Sequence, residues 1–352
     1  MLRDHLLDRH SDHRPDLRPG DAAHDVRITG FGSYLPAVML DNAALPALDE
    51  PIAADELARI GVHRRGRSGD GEDITEMAVI AGHRALARAG IGAADLDFVI
   101  LANWTRRRYL PDFAPAVTRR LGARRAFAHD LGCACAGFLY GVAMASELLR
   151  NPRYRRALVV ASEETSRRAR PGSRGTLILG DGAGAFVLER GAGRGERITG
   201  QLIDYELACD GEHAGIMEID DAGWVRTHIA QRALCQLAAR SIAEVSGRLL
   251  ARNHRTLADV TWVIPHSGTA GVQAAIARAL ELSPERILTN YAEVGNVSSA
   301  SIPIALDHFV AAGQVRPGDV VLSAAVGGGW YAAAALYTVG ELAAEAAAGV
   351  VT

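Results

Sequence analysis

Apolar and polar residues alternate with a period of two through VRITGFGSYLP (26–36), which predicts a strand halted by glycine and proline. Longer apolar runs follow, alternating with stretches of helical period. ITEMAVIAGHRALARAGI (74–91) predicts a helix, LDFVILANW (96–104) a strand, FAPAVTRRLG (113–122) a helix and AFAHDL a strand. Between them and the first strand, the segment 55–67 ends in the basic cluster GVHRRGR. Residues 138–149 are apolar on every face of a helix (Phe138, Leu139, Val142, Ala143, Met144, Leu148 and Leu149), the signature of a helix enclosed by protein. ALVVASEE (157–164) and GTLILGDGAGAFVLER (175–190) complete a strand–helix series of the kind that builds buried α/β sheets.

The pattern then recurs. DVTWVIPHSG (259–268) parallels LDFVILANW, and AGVQAAIARALEL parallels FAPAVTRRLGA. ILTNYAEVGNVSSASIPIALDHFV (287–310) parallels AFAHDLGCACAGFLYGVAMASELL, and GDVVLSAAVGGGWYAAAALYTV (318–339) parallels the paired strands that end the first half. Two similar α/β halves packed about a pseudo-twofold are expected, residues 26–190 and 191–352, after a poorly ordered extension over 1–25. In that arrangement the helix beginning near Ser298 mirrors the one beginning at Cys135, and both N-termini converge at the centre.

Composition narrows the function. With 352 residues, 49% of them hydrophobic, the chain can bury one large core or two fused ones. A net charge of −3, from 38 basic and 41 acidic residues, provides no general attraction to nucleic acid or to an anionic membrane. The N-terminus is too charged for a signal peptide, and no apolar run is long enough to span a bilayer. Four scattered cysteines do not make a disulfide framework, and Cys133 with Cys135 lacks the second pair a zinc site needs, so no metal is expected and a reducing cytoplasm fits best.

Cys135 is the candidate nucleophile. It is expected in the first turn of the enclosed helix, with Ala136 and Gly137 leaving space beside it, where free backbone N–H groups and the helix dipole favour a thiolate. The alternative is a small buried residue, which free cysteine often is. A nucleophilic thiol needs proton-handling and oxyanion-stabilising partners. His266 follows the apolar run WVIP at a strand end, and Asn296 sits on a glycine turn before the mirrored helix. Both can donate hydrogen bonds to a developing enolate. The N–H groups of Cys135 and of one of Gly327, Gly328 and Gly329 can bind the oxygen of a tetrahedral intermediate. Singly, each residue also fits a structural role: a strand-end histidine, an Asn-Gly turn, a tight glycine bend. GDGAGA is not a dinucleotide loop, because Ala185 replaces the last glycine of GxGxxG and a strand follows it.

Taken together, CAGF (135–138), RGT (174–176), GDGAGA (180–185), PH (265–266), GNVSSAS (295–301) and GGG (327–329) resemble the β-ketoacyl-acyl carrier protein synthase III enzymes of the thiolase superfamily. The interval 296 − 266 = 30 matches that family's pattern; 266 − 135 gives 131. The resemblance implies a thiolase-like fold with a layered α-β-α-β-α core and a homodimer. It implies Cys135 as acyl acceptor, His266 and Asn296 as the pair stabilising decarboxylation of a malonyl thioester, and Cys135 and Gly328 as the oxyanion hole. Substrates would be acyl-CoA or acyl carrier protein thioesters, with no permanently bound cofactor.

The departures concern the donor. Relatives that use coenzyme A commonly stack its adenine on a tryptophan, and the gap-free match from ARIGV puts Asp55 there. An asparagine and an arginine that serve the pantetheine arm and carrier docking fall on Thr269 and Gly271. Arg59 and Arg174 match basic positions near the cofactor phosphates, while Arg106, Arg107 and Arg108 form a cluster that fits either a phosphopantetheine contact or a solvated surface. Three functions are carried forward: a decarboxylating condensing enzyme in fatty-acid or polyketide synthesis, an acyltransferase to an alcohol or amine, and a non-catalytic partner subunit.

Overall fold

The computed structural model describes residues 26–191 and 200–342. The expected N-terminal extension, 1–25, lies outside the described residues. Strand β1 (Val26–Tyr34) precedes a small pair, β2 (Val38–Asp41) and β3 (Arg64–Arg67), with helix α1 (Ala54–Ile60) between them in sequence. Then come α2 (Ile74–Ala89), β4 (Phe98–Ala102), α3 (Ala114–Leu121), β5 (Phe127–Leu131), α4 (Gly137–Leu149), β6 (Arg156–Glu164), α5 (Gly175–Ile178) and β7 (Asp181–Arg190). The second half contains β8 (Gly200–Cys209), the hairpin β9 (Met217–Ile219) and β10 (Val225–Thr227), α6 (Gln231–Arg252), β11 (Trp262–Pro265) and α7 (Ala270–Ala279). It ends with α8 (Tyr291–Val294), α9 (Ser301–Ala311), β12 (Val320–Gly327) and β13 (Tyr331–Thr338).

Nine strands form one sheet in the order β11-β12-β13-β8-β1-β7-β6-β4-β5. Its middle seam is the antiparallel pair β1–β8, with Arg27 opposite Gln201 and Ile28 opposite Gly200. On one side of the seam β6 and β5 flank β4 in parallel and β7 returns antiparallel; on the other β12 runs parallel to β11 and β13 returns antiparallel. The expected counterpart of β5 shrinks to a single parallel bridge between Val263 and Ile287. The chain leaves the sheet there because Thr289 Oγ1 donates to Gln273 and the Asn290 carbonyl begins capping α8.

Strand alternation fixes the layers. Phe98 and Ile100 of β4 and Val321 and Ala325 of β12 share a cluster with Phe138 and Leu139 of α4 and Ile302 and Leu306 of α9. Val99 and Leu101 face the other way, onto Met77 of α2 and Val117 of α3, while Leu322 and Ala324 face Ile242 of α6 and Ile276 of α7. The stack is therefore helices, the first half's part of the sheet, α4 with α9, the second half's part of the sheet, helices, as the resemblance implied. With protein on both sides, α4 has no need of a polar face, and of its apolar residues Met144 alone is well exposed, at 38%. In the basic cluster after α1, Arg65 is a core residue: its guanidinium donates to Leu40 O, Asn42 Oδ1 and Leu177 O. No described helix is long and apolar enough to cross a membrane.

Candidate active site

Cys135 lies just beyond the end of β5, in a 3-10 turn over Ala134–Ala136, and α4 starts at Gly137. The thiol therefore precedes the α-helix rather than occupying its first turn. The turn is entered through Ala134 at φ +46, a conformation L residues seldom adopt. Sγ accepts a hydrogen bond of 3.1 Å from Ser298 Oγ, which in turn accepts one of 2.6 Å from the indole Nε1–H of Trp104. Burial pushes the thiol up to about 12; the Ser298 bond works against this and the Glu163 charge adds to it. Desolvation outweighs the donors around this sulfur.

Opposite the thiol ends β12. A Cβ on Gly327 would lie 2.8 Å from the backbone N of Cys135, so only glycine permits this approach. Gly328 follows at the rim, half-buried, with Met217 beside it. Thus the strand end that carries the expected oxyanion donor Gly328 meets the Cys135 turn across the half-to-half boundary, and the close passage is made by Gly327.

His266 comes directly after β11, and its backbone N–H bonds Ala324 O of β12 at 2.8 Å. The side chain is 6% exposed, and burial pushes it down to about 4, so the ring is neutral at physiological pH. Its Nδ1 has no hydrogen-bond partner among the described residues. Asn296 is held by its backbone, N–H to Ile178 O at 2.7 Å and C=O from Gly180 N–H at 3.1 Å. Its Oδ1 accepts the Ser298 N–H at 2.8 Å, which turns Nδ2 toward the loop after His266. There Gly268, at φ +67, leaves room: a Cβ would come within 2.5 Å of Nδ2. Ser298 therefore ties Cys135 to Asn296, and the Gly268 turn brings Asn296 against the His266 loop.

A further group was not expected from sequence. Glu163, at the end of β6, is fully buried and accepts from Thr105 Oγ1 at 2.8 Å, from the N–H groups of Trp104 and Thr105 at 3.3 Å, and from Ser299 Oγ at 2.5 Å. Burial pushes it up to about 7. The signal was present in ALVVASEE, whose apolar strand ends in two carboxylates, both buried. Ser298 and Trp104 carry no comparable signal, since their positions depend on the fold.

The predicted donor-binding residues lie apart from this centre, around α1. Arg59 is exposed and pairs with Asp55 at 2.5 Å, so the residue in the stacking position instead holds an arginine. Arg174 bonds Glu56 at 3.1 Å and the carbonyls of Glu50 and Pro51, beside a cleft of about 460 Å³ lined by Asp49, Glu56, Arg170 and Ser173. Thr269 caps α7 by accepting from Val272 N–H, and Gly271 backs onto Arg59, a Cβ there lying 3.4 Å from its carbonyl oxygen. Arg106 pairs with Glu164 at 3.5 Å, while Arg107 and Arg108 lie over the rings of Tyr109 and Phe113.

Known proteins resemble this chain along most of its length. Residues 129–211 match the family model described as 3-oxoacyl-[acyl-carrier-protein] synthase III, and 250–339 match the model of its C-terminal region. The β-ketoacyl-[acyl-carrier-protein] synthase III of Dinoroseobacter shibae is 36% identical over 310 residues, covering 86% of this chain and 95% of that protein. The crystal structure of 3-oxoacyl-[acyl-carrier-protein] synthase III from Aquifex aeolicus superposes with a TM-score of 0.82 at 31% identity, over 89% of this chain and 99% of that one. The priming β-ketosynthase of the R1128 polyketide pathway superposes with a TM-score of 0.80 at 25% identity, over 94% and 99%. With the layered fold and near full-length similarity in agreement, the chain belongs to the β-ketoacyl-[acyl-carrier-protein] synthase III family.

Proposed function

We infer that this chain is a ketosynthase III-type condensing enzyme, a transferase that works in two steps. The Cys135 sulfur attacks the carbonyl of an acyl thioester; the tetrahedral oxygen is held by the N–H groups of Cys135 and Gly328, and the donor thiol leaves with the proton the cysteine gives up. A malonyl-type thioester then loses carbon dioxide, and the electron pair of the broken C–C bond forms an enolate. A neutral imidazole and a carboxamide suit that enolate oxygen, because each donates a hydrogen bond without needing to be charged. The enolate carbon attacks the acyl-enzyme, forms the new C–C bond and expels the Cys135 sulfur.

The observation that carries this is the linkage from Cys135 Sγ through Ser298 to the Asn296 amide, with the neutral His266 on the adjoining loop. Simple acyl transfer to an alcohol or amine has no enolate to stabilise and leaves the oriented amide without a task, and the relatives compared are synthases. For the donor we propose an acyl-CoA or acyl carrier protein thioester reaching the site past Arg59 and Arg174, with adenine stacking absent. The two halves, 26–190 and 191–352, divide the labour: the first supplies the sulfur, the second the enolate donors. A homodimer would cover the edge strand β5, where Phe127 is 42% exposed, and the loop carrying Tyr109 and Leu110.

Mass spectrometry with a panel of acyl thioesters tests the first step: a covalent adduct is expected that vanishes in Cys135→Ala. Labelled carbon dioxide release from a malonyl thioester tests the second. A loaded enzyme that releases none would overturn condensation in favour of transfer to a heteroatom.

A further inference from the structure

We propose that Trp104 and Glu163 are positioning residues that hold the Ser298 hydroxyl as a hydrogen-bond donor to Cys135 Sγ, so that Ser298 acts on the reacting sulfur. The proposal rests on the reading of Cys135 as acyl acceptor and deepens it. The direction of the relay follows from the donor inventory. Indole nitrogen only donates, so the 2.6 Å contact from Trp104 Nε1 must be received by Ser298 Oγ. The serine has one hydrogen left, and its other close partner is Sγ at 3.1 Å. A donor aimed at sulfur favours the thiolate, opposing the desolvation of this site.

Each end of the relay is then anchored by the same carboxylate. One oxygen of Glu163 accepts from Trp104 N–H, Thr105 N–H and Thr105 Oγ1; the other accepts from Ser299 Oγ, next to Ser298. The loop carrying the indole and the turn carrying the serine belong to different halves, and Glu163 clamps them together. Ser298 itself is kept at φ +51, a strained setting for a residue with a side chain, which places its hydroxyl at the sulfur while its N–H orients Asn296.

The test is the rate of Cys135 alkylation by iodoacetamide from pH 7 to 10, read by mass spectrometry at that residue, with thermal melts as a check of folding. Removing a thiolate donor raises the thiol pKa. A rise of one unit cuts the thiolate fraction tenfold, and the greater nucleophilicity of the remaining thiolate returns part of it, so Ser298→Ala should be alkylated about threefold more slowly. Ser298→Gly, which tolerates the positive φ, should match it, and Trp104→Phe should change in the same direction by less. A site that is merely loosened becomes easier to reach and reacts faster. Equal or faster alkylation in both Ser298 variants overturns the relay, and a wild-type rate in Trp104→Phe overturns the indole's part in it. If the rates slow as expected yet the wild type takes no acyl group from any thioester, the relay stands and the acyl-acceptor reading fails; loading with unmoved rates refutes the relay alone.

Discussion

Ser299 stands in the second half where Cys135 stands in the first: each is the middle residue of a three-residue 3-10 turn that opens through a positive-φ residue and runs directly into a buried helix. The chemistry has diverged while the backbone has not. In the first half the side chain is a sulfur that accepts a hydrogen bond from Ser298 across the boundary; in the second it is a hydroxyl bonded to Glu163.

Separating the two steps is the most direct consequence. Asn296→Ala is expected to keep acyl loading of Cys135 near the wild-type level and to lower condensation by roughly a hundredfold or more, the usual loss when a preorganised donor to a developing oxyanion is removed. Single-turnover loading followed by product formation from a malonyl thioester measures both. Equal loss of both steps would show that the amide does not act on the enolate.

Gly327→Ala puts a methyl group 2.8 Å from the Cys135 nitrogen, against backbone that cannot yield easily. A destabilisation of about 1–3 kcal/mol is expected, with slower loading, because the turn carrying the sulfur must shift. Denaturant melts and adduct formation on one sample would show both changes; a variant as stable and as quickly acylated as the wild type would contradict the close approach.

At the outer rim, Asp55→Trp should restore a stacking surface and free Arg59 from its ion pair. The expected result is a KM for acyl-CoA lowered severalfold with kcat unchanged, and no gain for an acyl carrier protein donor, which lacks the adenine. Glu56→Ala, by releasing Arg174, should act in the same direction. A KM unmoved in both variants would mean that the CoA donor does not pass this rim.

Stability should respond to pH through two buried groups of opposite sign. Glu163 titrates higher in the fold, about 7 against 4.5, so the native state holds an extra proton between these values. Its favourable contribution is complete below pH 4.5 and is lost as pH rises through 7, about 3 kcal/mol in all. His266 titrates lower, about 4 against 6.5, so its neutral form favours folding above pH 6.5 and that advantage is lost as pH falls through 4. Relative to wild type, Glu163→Gln should therefore gain stability from pH 4.5 to 8, whatever its offset at low pH. A pH-independent difference between the two melting curves would show that Glu163 is ionised normally.

The layered fold was legible because strand alternation, apolar runs and their repetition all depend on local periodicity. The enclosed helix after Cys135 is the clearest case, and the meeting of the Cys135 turn with the turn after Asn296 follows from the repeat. The strand expected at ILTN failed because Thr289 and Asn290 find partners in α7 and α8, a competition that no periodicity reveals. Trp104, Ser298 and Glu163 were missed for a related reason: a tryptophan after an apolar strand and a serine in a turn are ordinary until folding sets them 2.6 Å apart. Arg65 shows the converse, a member of a basic cluster that burial converts into a scaffold for three acceptors.

The β1–β8 seam has a further meaning for how the molecule is made. Strand β1 is the earliest described strand to be synthesised, yet both its neighbours, β7 and β8, are encoded more than halfway along the chain. On the ribosome it must wait for its main partner, β7, until nearly the whole first half has emerged, and its short pairing with β8 forms only after that. The first half can close on itself only when β7 has followed β1 out, so folding of this protein should be slow and dependent on protection of that waiting segment.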